Sequence, residues 1–108
     1  MQRIELPYVL SLTGSLTTPQ VEAIHSETLA AVRDHTDVAI DCSNASEMDV
    51  AFIQILVAAQ RFAVRSGKRV GLAAPPAGLL ADALKRCGFP LPKRPTTALA
   101  DVLSLPST

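Results

Sequence analysis

The side chains best suited to chemistry lie close together in the middle of the chain. Asp41, Cys42, Glu47 and Asp49 fall within a nine-residue stretch. A Cys42 thiolate beside a histidine would be a nucleophile, and the carboxylates could form an acid–base pair or a hard-metal site. However, no histidine lies near Cys42 in the sequence, and both aspartates have structural roles described below. The chain also has no glycine-rich phosphate loop. We therefore predict that the protein is not an enzyme and has no catalytic residue, metal site or cofactor; an enzyme or a small-ligand-binding domain is the less favoured alternative.

The length and charge of the chain limit the classes of protein to which it could belong. The 108 residues suffice for one domain, which we predict to span residues 1–108 with a core from about 3 to 104. Ten basic and ten acidic residues cancel, and no cluster of Lys or Arg could follow a phosphate backbone, so we predict no nucleic-acid partner. No apolar run reaches the ~20 residues that cross a bilayer, and no secretory signal is visible. We predict a cytoplasmic protein without direct membrane insertion, in which Cys42 and Cys87 are small, reduced core residues.

The first third of the chain predicts two strands and a helix. Strand-forming residues at 3–6 and 8–12 are separated by Pro7, and the residues around Gly14 predict a turn. Thr18 and Pro19 predict the start of a helix. His25 lies on the apolar stripe of this helix, where we expect it to be half-buried. The stripe consists of Val21, Ile24, Thr28, Leu29, Ala31 and Val32.

A buried strand and a long helix form the centre of the predicted fold. Residues 38–40 are apolar without alternation, as in a central strand, and residues 43–47 predict a surface loop. Asp49 predicts the N-cap of a helix that ends before Gly67. At 100° per residue, the inward side of this helix consists of Phe52, Ile55, Leu56, Ala59 and Ala63. The opposite side consists of Gln54, Ala58, Arg61 and Arg65, flanked by Val50, Ala51 and Val57.

The last third adds a strand and two helices. Residues 70–72 predict a strand, a third helix starts near Pro76 and stops at Gly88, and residues 97–103 predict a short final helix. The buried stripe of the third helix should comprise Leu79, Leu80, Ala83, Leu84 and Cys87. The alternation of strands and helices predicts an α/β fold: a small mixed, mostly parallel β-sheet of four to five strands flanked by about four helices.

Three local patterns, in this order and spacing, resemble the STAS domain of bacterial anti-sigma-factor antagonists. They are LTGSL at 12–16, VAIDCS at 38–43 followed by EMD at 47–49, and SGKRVGL at 66–72. Each pattern is common alone, but together they extend the resemblance over roughly residues 9–89. The resemblance implies a compact STAS-like sheet flanked by helices that acts through protein contacts without chemistry of its own.

The resemblance also implies a phosphorylation switch, but this chain lacks the residue that the switch requires. In phosphorylated STAS domains, a Ser or Thr directly after the aspartate that opens the central helix accepts phosphate from a partner kinase, and the added charge releases the kinase. The matching position is Val50, which has no hydroxyl. Ser43 and Ser46 could be phosphorylated instead, although loop serines more often bond nearby backbone. Phe52 occupies a position at which STAS domains commonly have glycine. This difference indicates either a repacked core or an altered partner surface.

The resemblance and the helix faces together predict a partner-binding surface. An apolar centre with a polar and arginine rim is typical of small interfaces. Three partners fit: an anti-sigma kinase, a chemotaxis or other two-component complex, or the ATPase of a lipid-transport ABC system; a homodimer is left open. The missing hydroxyl at Val50 disfavours the kinase and also the transporter ATPase, whose small STAS subunits usually keep the hydroxyl residue, and it favours a non-phosphorylated adaptor. The predicted surface comprises Ser43, Asn44, Ser46, Glu47, Asp49, Val50, Ala51, Gln54, Val57, Ala58 and Arg61.

Overall fold

The structure, a computed structural model, describes residues 6–103, which form five strands and four α-helices. The strands are β1 (Tyr8–Ser11), β2 (Gly14–Leu16), β3 (Asp37–Asp41), β4 (Ala45–Met48) and β5 (Arg69–Leu72). The helices are α1 (Val21–Asp34), α2 (Val50–Ser66), α3 (Gly78–Arg86) and α4 (Leu99–Val102). A short 3-10 helix, Thr18–Gln20, leads into α1. This is the mixed α/β arrangement with mostly parallel strands that the sequence predicted.

A three-stranded parallel sheet carries the larger part of the core. Its strand order is β1-β3-β5, so β3 is central, as predicted for residues 38–40. The register aligns Leu10 with Ile40 and Ile40 with Leu72, and all three side chains are buried on one face. α1 packs on β1 and β3, while α2 packs on β5 and alongside α1. Because crossovers between parallel strands are right-handed, both helices cover that same face.

A second sheet pairs β2 with β4, also in parallel. The predictions of a turn over residues 13–15 and of a loop over residues 43–47 are therefore wrong for residues 14–15 and 45–47. Leu16 and Met48 are buried there, and the amide of Asp49 donates to the carbonyl of Leu16 at 3.3 Å. The sequences of β2 and β4 do not favour extended backbone by themselves. The hydrogen bonds between the two strands and the burial of these two side chains stabilise it.

α2 begins and ends where the sequence predicted. Asp49 is its N-cap, and Gly67 ends it with a left-handed φ of 68°. The predicted inward residues are all buried, with Phe52 only 1% exposed, and Ile53 is buried as well. Phe52 is therefore a core residue, which decides between the two explanations for its replacement of glycine.

The predicted starts of two helices are wrong by one or two residues. Thr17, not Thr18, is the N-cap of the 3-10 helix before α1. α3 begins at Gly78 rather than near Pro76, because Gly78 has a φ of 55° that separates the helix from the prolines. The final helix, predicted over residues 97–103, covers only Leu99–Val102.

Two side chains predicted on apolar stripes face solvent instead. His25 is exposed, since it lies at the margin of a stripe centred on Ile24, Thr28 and Ala31. Leu79 is 40% exposed, at the first turn of α3. The strand predicted over residues 3–6 lies mostly outside the described residues, and Leu6 belongs to no strand.

Candidate protein-interaction site

The outward side of α2 carries a stripe of six residues between Val50 and Arg61. Val50 is 53% exposed, and Gln54 and Arg61 are exposed below it. Ala51, Val57 and Ala58 are half-buried between them. These six residues, here called the α2 stripe, share one helix face opposite Phe52. The structure thus brings together the helical part of the predicted surface.

Asp49 links the start of α2 to the 3-10 helix that leads into α1. Its Oδ1 accepts a hydrogen bond from the Ala51 amide at 2.9 Å, and its Oδ2 accepts bonds from the amide and hydroxyl of Thr18 at 3.0 and 3.1 Å. The hydrogen bond from the Thr18 amide is the main cause of the lowered pKa of the Asp49 carboxyl, and the bond from the Ala51 amide lowers it further. With both oxygens engaged, Asp49 is a structural cap at the end of the stripe.

Glu47 adds a second negative charge beside this cap. Ser46 and Glu47 are exposed on β4, immediately before the α2 stripe. The hydroxyl of Ser15 on β2 donates to Glu47 Oε2 at 3.1 Å, which orients the carboxylate. This end of α2 is therefore acidic, whereas the other end of its outward face carries Arg61 and Arg65.

Ser43 and Asn44 lie apart from the start of α2. They precede β4, whose four residues rise ~3.3 Å each, so about 13 Å of strand separates them from Asp49. The Ser43 hydroxyl and amide donate to Asp41 Oδ1 at 2.6 and 3.0 Å and close a tight turn. These two bonds, the hydroxyl first, lower the pKa of Asp41. The structure therefore does not join the predicted loop residues to the α2 stripe as one patch.

The chemistry available around Cys42 is limited. Burial, followed by the nearby Asp41 charge, raises the pKa of the Cys42 thiol, which keeps it protonated and poorly nucleophilic near neutral pH. A cavity of about 140 Å³ adjoins it, lined partly by Leu72 and Leu80. Within residues 6–103, no three His, Cys, Asp or Glu side chains lie close enough to hold a metal ion together.

The structure adds residues that the sequence did not connect to this site. Arg86, in the last turn of α3, donates through Nη2 to the Met48 carbonyl at 3.4 Å, beside the start of α2. Ser15 and Thr18 also contact the site through Glu47 and Asp49. All three come from distant parts of the chain, and no local pattern signals their position.

The structure is thus a small α/β domain with one partly exposed face on its central helix. The chain matches the family described as "Mlab, STAS domain" over residues 5–89. This match covers most of the chain, and the protein belongs to the STAS domain family, as a regulatory STAS-type module. Searches of curated proteins and of solved structures each found no significant match. Over residues 6–103, no helix is long and apolar enough to cross a membrane.

Proposed function

We propose that this protein is a non-catalytic cytoplasmic module that regulates a partner protein by binding it through the α2 stripe and the adjoining end of β4. STAS domains generally act through protein–protein contacts. The observation that carries the proposal is the exposed Val50, an aliphatic side chain in the first turn of a well-capped helix. It lies between small apolar neighbours and polar margins, as at the centre of compact interfaces.

The absence of catalysis belongs to this proposal. Asp41 and Asp49 both have lowered pKa values because each accepts hydrogen bonds that fix a turn or a helix start. Carboxylates held ionised and hydrogen-bonded in this way are poor general acids. The protonated Cys42 thiol is likewise a poor nucleophile.

The proposed module is not switched by phosphate at the usual position. Val50 occupies that position and has no hydroxyl. An adaptor role, as toward a two-component complex, requires no phosphate and is favoured. An anti-sigma kinase is less favoured because no phosphate at position 50 could release it, and so is a transporter ATPase, because its small STAS subunits usually keep the hydroxyl residue.

Affinity capture with the tagged protein from its native cells tests the proposal. Val57→Glu places a charge in the middle of the α2 stripe and should lower partner recovery by about tenfold, which corresponds to ~1.4 kcal/mol. Val9→Glu is the matched control, because Val9 is 52% exposed on β1 and alternates with the buried Leu10, so its side chain faces away from the helices. Identification by mass spectrometry separates the sigma-factor, two-component and transporter contexts.

A second variant guards against a folding defect. Val57 is half-buried, so Val50→Glu is tested in parallel. Glu in the first helical turn is favoured by the helix dipole and should leave the circular dichroism spectrum unchanged. Full partner recovery by both folded variants would reject this surface assignment.

A further inference from the structure

We propose that a second copy of this chain binds the α2 stripe, with the two α2 helices antiparallel across a two-fold axis near Val57. The proposal rests on the proposed function, since it names one partner of that same surface. A homodimer of this kind would cover the surface until another partner displaces the second copy.

Charge separation along the chain motivates the proposal. Residues 6–49 carry seven acidic side chains and one basic one, whereas residues 50–103 carry two acidic and eight basic ones. The boundary falls at the start of α2. The helix therefore has Glu47 and Asp49 beside its N-terminus, and Arg61 and Arg65 on the outward side of its last turns. One copy thus offers both the acidic and the basic surface that a dimer needs.

The spacing of these charges matches a two-fold axis. Asp49 and Arg65 are separated by sixteen residues, or ~24 Å along the helix, and Val57 lies midway between them. In an antiparallel pair centred on Val57, Arg65 of one copy meets the acidic end of the other, and the reverse contact follows by symmetry. Arg61 then lies near Gln54 of the second copy. The small side chain of Ala58 allows close approach at the centre.

The arginines are available for this contact. Among residues 6–103, the one ion pair is Arg33 with Asp34, so neither Arg61 nor Arg65 has an acidic partner there. Like charges one helical turn apart are unfavourable in an isolated helix. Carboxylates from a second copy would relieve this repulsion.

The expected dimer is weak and sensitive to salt. Two helix faces of this length cover less area than the ~1,600 Å² of a standard stable interface. Much of the attraction is between solvent-exposed charges, which salt screens within about 10 Å at 0.1 M. Copies should therefore exchange readily with a better partner.

Sedimentation velocity of the full chain tests the proposal. At about 20 mM salt, the sedimentation coefficient should rise with protein concentration up to about 1 mM, and at about 500 mM salt it should not. Arg61→Glu/Arg65→Glu should weaken association at least about tenfold. The matched control is Lys93→Glu/Arg94→Glu, which changes net charge equally on exposed residues beyond α3.

Charge exchange then makes the test specific. Glu22 is in the first turn of α1, four residues after Thr18, which hydrogen-bonds to Asp49, so that turn begins at the same end of the domain as Glu47. Glu22→Lys/Glu47→Lys should also be monomeric, but a mixture with Arg61→Glu/Arg65→Glu should form dimers again. Circular dichroism confirms that each variant is folded.

Several results would overturn the proposal. The first is a wild-type chain that stays monomeric at low salt. The second is an equal loss of association in Lys93→Glu/Arg94→Glu. The third is a mixture of the two charge-reversed variants that does not form dimers. The wild type could also be monomeric while Arg61→Glu/Arg65→Glu loses binding to a different protein or to phosphatidylglycerol vesicles. In that case the arginines bind that protein or the lipid surface, and the dimer is rejected. A monomeric wild type whose partner capture still depends on Val57 rejects the dimer and retains the proposed function.

Discussion

Replacing Phe52 with Ala tests whether this residue belongs to the core or to the partner surface. Phe52 is 1% exposed and packs among the buried residues of α2 and both sheets. Truncating a buried Phe to Ala costs ~3–5 kcal/mol, because it removes buried surface and leaves a cavity. Domains of this size are stable by about 5–15 kcal/mol, so the variant should lose a large part of its stability. Its midpoint of unfolding should fall by roughly 12 °C or more.

Urea unfolding followed by circular dichroism measures this loss. With a slope of ~1–3 kcal/mol per molar urea, the midpoint should fall by at least about 1 M. Val50→Ala is the control in the same helix, since Val50 is exposed, and should change stability by less than about 0.5 kcal/mol. A Phe52→Ala protein that keeps its stability within about 1 kcal/mol, yet loses partner binding, would refute the core assignment.

Three further predictions concern single residues of the site and sheet. Val50→Ser should accept phosphate at position 50 from a partner kinase identified by capture, whereas the wild type has no hydroxyl there; tandem mass spectrometry of the α2 peptide locates the phosphate, and a variant without phosphate at position 50 would contradict the expectation. The lowered pKa of Asp49 stabilises the fold above the unfolded pKa of ~3.9, and this stability is lost as pH falls toward the folded pKa. The difference in melting temperature between wild type and Asp49→Asn should therefore be constant above about pH 5 and shrink below about pH 4; a constant difference down to pH 2 would contradict this. Gly71→Ala should destabilise the fold by ~1–3 kcal/mol in thermal unfolding, because its Cβ would lie 2.8 Å from the Thr97 carbonyl oxygen that accepts from Leu72; an unchanged midpoint would show that the segment shifts freely.

The sequence predicted best those elements that local signals define. Asp49 and Gly67 mark both ends of α2, and a rotation of 100° per residue correctly places Phe52 inward and Val50 outward. The uninterrupted apolar residues of β3 likewise indicated a central strand. In each case the sequence pattern that predicts the element lies within the element itself or next to its ends.

The second sheet could not be predicted in the same way. β2 and β4 are short, and β4 reads Ala-Ser-Glu-Met without a β-branched residue. Their extended backbone depends on pairing between distant segments and on burial of Leu16 and Met48. Propensity within either segment carries no information about that pairing.

In the candidate site, too, some features could be predicted from local sequence and others depend on tertiary contacts. The α2 stripe follows from helix geometry, whereas the ties from Thr18 and Ser15 to Asp49 and Glu47 follow from tertiary packing. The separation of Ser43 from the stripe also depends on β4, since a flexible loop in its place would have allowed both to form one patch.

Hydrogen–deuterium exchange of the protein, free and bound to a captured partner, tests the proposed surface most directly. The proposed function predicts slowed exchange in β4 and in the first two turns of α2, around Val50 and Val57. At the opposite end of α2, a groove is lined by Tyr8, whose ring stacks on His35 at 4.0 Å, and by Arg69. Protection confined to that groove, with no change around Val50, would contradict binding through the α2 stripe.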